Sequence, residues 1–159
     1  MQTVKVPMES LYEVILLQLQ NGGKANLVVT GVSMKPMLKE GRDTVILAPI
    51  TTDPVTGDIV LYRRDNGKFV LHRIIRVTPE GYLISGDNQY VLEAVSRQQM
   101  LAVVGAFTRK GRSHTLREPG YRLYRWAWVK LFWLRKPYIK LRRKLGRVYR
   151  RLIHRKNAE

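Results

Sequence analysis

Ser33 and His72 are the two residues whose types and settings could together cleave an amide. Ser33 stands in Thr30-Gly31-Val32-Ser33-Met34-Lys35-Pro36-Met37-Leu38, directly after a β-rich run. Gly31 before it and Pro36 after it mark a turn, so the hydroxyl can project from a sheet edge while the Ser33 N–H meets a substrate carbonyl. His72 stands in the apolar run Val70-Leu71-His72-Arg73-Ile74-Ile75. An imidazole that titrates near neutrality can take the hydroxyl proton and return it to a leaving amine. Taken singly, one is an ordinary turn serine and the other a packed strand histidine. Only the pair points to acyl transfer.

Other reactive groups fit less well. Lys35, two residues past Ser33 and beside Pro36, is expected to face solvent. His114 and His154 belong to no motif, and three scattered histidines without a single cysteine give neither a thiolate nor a metal-ligand spacing. No cofactor is expected.

The elements that must position the pair follow from periodicity. In residues 8–20, Met8, Leu11, Tyr12, Ile15 and Leu19 recur at spacings of three and four, which predicts an amphipathic helix closed by Asn21-Gly22-Gly23. Short β-rich runs follow at 25–30, 44–47, 58–62, 69–77, 82–85 and 101–107, separated by Gly41, Pro49, Pro54, Gly57, Pro79-Glu80-Gly81 and Gly86. Asp65-Asn66-Gly67 between two of them predicts a hairpin. The expectation is an N-terminal helix over 1–24 and a mainly antiparallel β domain over 25–108.

Charge divides the 159-residue chain. Residues 1–108 hold 11 Lys and Arg against 10 Asp and Glu, whereas residues 109–159 hold 18 against 2. Nearly all of the net +17 therefore belongs to the tail. Residues 109–120, with Gly111, Ser113, Pro119 and Gly120, read as a linker, and 121–159 as a basic aromatic helical tail broken at Pro137. Trp126, Trp128, Phe132 and Trp133 crowd its first part. In the second part Tyr138, Leu141, Leu145, Val148 and Leu152 form an apolar stripe among lysines and arginines. Such segments lie at membrane interfaces. No secretory leader or spanning stretch is read from the sequence. The expected partner is an anionic membrane surface met from the cytoplasmic side, with packing on the body or nucleic acid as the alternatives. Removing 119–159 is expected to leave a folded, nearly neutral domain.

Five motifs in order give these residues a family likeness. Gly31-Val32-Ser33-Met34-Lys35-Pro36-Met37-Leu38, Gly41-Arg42-Asp43 with Val45, Gly57-Asp58-Ile59-Val60, Leu71-His72-Arg73-Ile74-Ile75 and Ser85-Gly86-Asp87-Asn88 together resemble the clan of type I signal peptidases and LexA-like self-cleaving serine peptidases. Arg42 splits the first Gly-Asp pair of that pattern. His72-Arg73 stands where many members carry Lys-Arg, which resembles the Ser-His subtype of archaeal and endoplasmic-reticulum signal peptidases. The resemblance implies a signal-peptidase-like β fold, Ser33 as nucleophile and His72 as base and then acid. It also implies an orienting carboxylate, Asp87 within the motif or Glu93 six residues later, with Asp87 slightly favoured. The implied substrate is a protein or precursor peptide, cut after small side chains. The rivals are a self-cleaving regulator and a non-catalytic module whose tail binds membrane or nucleic acid.

Overall fold

The computed structural model describes residues 8–156, with side chains over 14–142 and 144–147. The side chains of Met8, Leu11, Tyr12, Val148, Leu152 and His154 therefore lie outside the described ones. The helix α1 (Met8–Gln20) leads into β1 (Ala25–Val28), β2 (Thr44–Ala48), β3 (Ile59–Arg63), β4 (Phe69–Thr78), β5 (Gly81–Ser85), β6 (Glu93–Val95), β7 (Met100–Arg109) and β8 (Arg112–Thr115). Two further α-helices follow among the described residues, α2 (Pro119–Lys130) and α3 (Arg135–Lys156). The strands run antiparallel in the order β1-β2-β7-β3-β4-β5-β6, with β8 added to β7. This is the mainly β architecture that the spacing of breakers implied.

The middle of the sheet explains the core. In β3, Ile59-Val60-Leu61-Tyr62 is apolar without alternation, and all four residues are buried. A strand with this pattern must be covered on both faces. Ile59 and Leu61 join Ile15 and Leu19 of α1, Val45, Leu47 and Phe107 in one cluster. Val60 and Tyr62 point the other way, into a second cluster with Ile74, Tyr82, Ile84 and Val95. Asp65-Asn66-Gly67 closes the β3–β4 hairpin as expected, with Gly67 N–H donating to Arg64 O.

The segment 109–120, read as a linker, folds differently. Lys110 and Gly111 both take positive φ, 52° and 76°, the twist that a two-residue hairpin turn needs. Arg112–Thr115 then pairs back on β7, and the ring of His114 stacks on Phe107 at 5.2 Å.

The tail is not independent of the body either. Tyr121 belongs to the first core cluster and Ile139 is fully buried. Arg125 pairs with Asp58 at 3.1 Å. The earlier expectation that 119–159 can be removed without harm is therefore replaced. A chain ending at Glu118 exposes the core beneath Tyr121 and is expected to lose at least about 3 kcal/mol of stability. Urea unfolding of the two lengths measures this, and equal midpoints would contradict it.

Candidate active site

Gly31, at φ 73°, lets the chain leave β1 in a left-handed turn that an L side chain would resist. The turn delivers Ser33, half-buried, to a cleft of about 240 Å³. Leu27 to Thr30 form one wall, Phe69, Val70 and Leu71 form another, and His72 lies in the lining with Ser33. The two sequence candidates are thus brought into one cleft from elements far apart in the chain.

A second loop locks the Ser33 turn. Beyond β5, Asn88 N–H donates to Ser33 O at 2.7 Å, and Asn88 Nδ2 donates to Val32 O at 3.1 Å. Gly86 makes this approach possible. A Cβ there would stand 2.7 Å from Ser33 O and 3.0 Å from His72 Nε2, closer than side-chain atoms tolerate. Nε2 therefore faces the junction of the two loops.

The other imidazole nitrogen sets the tautomer. Across the β3–β4 ladder His72 lies opposite Val60, and Tyr62 is its diagonal neighbour on the same face. Tyr62 Oη lies 3.2 Å from His72 Nδ1, and the Tyr62 hydroxyl donates to Glu93 Oε2 at 2.8 Å. With its one proton directed at Glu93, the phenol oxygen accepts from Nδ1–H. Nε2 is left with a free lone pair, the form that can accept a proton. Glu93 is itself held by Arg64 Nε at 2.7 Å. Burial alone would raise the Glu93 carboxyl, but the bonds from Arg64 and Tyr62 bring it below its ordinary value. Burial pushes the His72 imidazolium down to about 4, helped by the nearby Arg64 charge and opposed by Glu93 and Asp87.

Asp87 has different partners. It is fully buried and accepts two hydrogen bonds from Arg73, Nε to Oδ1 and Nη2 to Oδ2, each 2.8 Å. Tyr124 donates to the same carboxylate at 3.0 Å. The reason lies in the strands: Arg73 pairs with Ser85 across β4 and β5, so the residues just past Ser85 fall beside the Arg73 guanidinium. Neighbours in a strand face opposite ways, which separates Arg73 from His72. Asp87, favoured from sequence as the orienting acid, is thus bonded to Arg73, and the carboxylate linked to His72 is Glu93, through Tyr62. Nothing in the motif order indicated Tyr62; only the β3–β4 register could have found it.

Arg73 further donates to Gly57 O at 2.9 Å and to Tyr121 Oη at 3.2 Å. The tail grips the same loop from outside. Trp128 Nε1 donates to Asp87 O at 3.0 Å, Arg135 Nη1 to Gly86 O at 3.1 Å and Arg142 Nη2 to Asn88 Oδ1 at 2.7 Å. The turn that clamps Ser33 is therefore held between Arg73 and three tail side chains. Among the described residues no cluster of His, Cys, Asp and Glu has metal-binding geometry.

The family model described as Peptidase S24-like matches residues 7–108. A search of curated proteins gave no match.

Proposed function

Since the chain belongs to the Peptidase S24-like family of LexA-like and signal-peptidase-like serine peptidases, we propose that it is an endopeptidase in which Ser33 attacks and His72 moves the proton. The single observation that supports this reading is that the Ser33 backbone carbonyl and His72 Nε2 both flank Gly86, while Ser33 and His72 line one cleft. Ser33 Oγ gives its proton to Nε2 as it bonds the scissile carbonyl carbon, and the imidazolium then protonates the departing amine. The Ser33 N–H supplies one donor to the oxyanion. Tyr62 and Glu93 orient the ring, and Glu93 offsets the charge that the ring gains. Asp87 is assigned to the framework, as the partner of Arg73.

The substrate is proposed to be an extended peptide with a small side chain before the scissile bond. β1 ends the sheet order and borders the cleft, so its outer backbone groups can pair with an added strand. Leu27, Val29, Phe69 and Leu71 in the cleft suit apolar side chains of a precursor segment, and Arg64 adds one cation to the lining.

The test is cleavage of an extended peptide library as a function of pH, with His72→Ala beside the native chain. His72 must be neutral to act, so kcat/KM is expected to fall only as pH drops through about 4, well below the usual histidine range. His72→Ala should lower it by about 10²–10⁴-fold. The same depressed value bears on the fold: the unfolded chain takes up this proton below about pH 6.5 and the folded one resists until about 4. Stability is therefore expected to decline over that interval, by on the order of 3 kcal/mol. A fully active His72→Ala chain would remove His72 from the mechanism, whereas an acid limb near pH 6.5 would contradict the depressed imidazole value alone.

A further inference from the structure

The tail helices have an inner face already described and an outer face that is exposed among the described residues. Trp126 on α2 is 58% exposed and Trp133, between the helices, 72%. On α3, Leu141 and Leu145 are 57% and 59% exposed while Ile139 on the opposite side is buried. Trp128 is excluded from this surface, because its indole bonds Asp87. Of the three tail tryptophans, Trp126 and Trp133 therefore remain on this surface.

Charge indicates what covers this face. Residues 119–156 contain fourteen Lys and Arg and no Asp or Glu. Arg125, Arg135 and Arg142 are committed to Asp58, Gly86 and Asn88. Lys130, Lys136, Lys140, Lys144 and Arg147 remain exposed around the apolar residues. The two indoles could stack a base but the exposed leucines beside them could not, whereas a bilayer buries leucine and indole alike and meets the cations with phosphate. No helix among the described residues is long and apolar enough to span a bilayer. We propose that the outer face of α2 and α3 is a docking surface for an anionic membrane, lying in the plane of the headgroups. This inference goes beyond the peptidase assignment and does not depend on it. Docking also brings the Gly86–Asn88 loop, gripped by the inner face, close to the lipid surface.

The experiment uses the full chain carrying Ser33→Ala, so that no cleavage enters the readout. It is sedimented with vesicles of phosphatidylcholine alone or mixed with phosphatidylglycerol, and separately titrated with single-stranded RNA. Binding is expected to the mixed vesicles only. Raising salt from about 0.1 M to about 1 M shortens the screening length from about 10 Å to about 3 Å and should weaken binding by about tenfold or more without abolishing it. Trp126→Ser, Trp133→Ser and Leu141→Ser combined should remove the salt-resistant part. A second variant, Lys136→Glu, Lys140→Glu and Lys144→Glu, should remove the salt-sensitive part, which keeps the test informative should the first fail to fold. Equal binding to neutral vesicles, unchanged binding by both folded variants, or tighter binding to RNA than to mixed vesicles would overturn the proposal.

Discussion

Ser33→Ala is expected to lower peptide cleavage by about 10⁴-fold or more while leaving the unfolding midpoint within about 0.5 kcal/mol of the native chain. The two halves of this result have separate causes. The proposed nucleophile is one oxygen atom, and alanine removes that atom alone. The contacts that hold the loop use the Ser33 carbonyl, bonded by Asn88 N–H, and the Val32 carbonyl, bonded by the Asn88 side chain. Alanine keeps both. Cleavage is measured on the best peptide found in the library, and unfolding by circular dichroism. A Ser33→Ala chain that still cuts at the native rate would reject the acyl-enzyme mechanism outright.

Asp87→Ala is expected to have the largest effect on the fold, about 3–5 kcal/mol of lost stability. It leaves the Arg73 guanidinium buried without its counter-charge, and the Tyr124 hydroxyl without its acceptor. Natural domains are held by about 5–15 kcal/mol in total, so this variant should be largely unfolded at moderate urea. The pair as a unit is a different matter. Removing both charges together, as Arg73→Met with Asp87→Leu, should recover much of the loss, because an apolar pair replaces the ions without stranding either. Equilibrium urea unfolding of the two single variants and the double one decides the point. Additive losses would mean that Asp87 acts through something other than Arg73.

How far the sequence carried depended on the range of the signal. Six of the strands and α1 are local patterns, apolar residues at fixed periods bounded by glycine and proline, and these were legible. β6 was not, because Glu93-Ala94-Val95 is too short to show alternation. β8 escaped for another reason: Arg112-Ser113-His114-Thr115 contains no aliphatic residue, and its contact with the core is the His114 ring on Phe107. Ser33 and His72 were read from motifs, and the fold places both in one cleft. The link from His72 through Tyr62 to Glu93 was not, since it depends on which residues of β3 and β4 lie diagonally across a ladder. That Asp87 bonds Arg73 escaped the sequence for the same reason. In the tail, Arg135 and Arg142 look like any other cation in a basic run. Only the fold distinguishes them as partners of the Gly86 backbone and Asn88.

The grip of Trp128, Arg135 and Arg142 on the loop that clamps Ser33 has a consequence for the order of events during synthesis. The matched family region is complete once residue 108 has been added, but the side chains that hold Gly86, Asp87 and Asn88 extend to residue 142. At about 5–20 residues per second the intervening 34 residues take roughly 2–7 s to translate. Over that interval a nascent chain carries Ser33 beside a loop that the tail side chains do not yet brace. Hydrolytic competence is therefore expected to arrive late on the ribosome, after the segment that bears the surface cations has emerged.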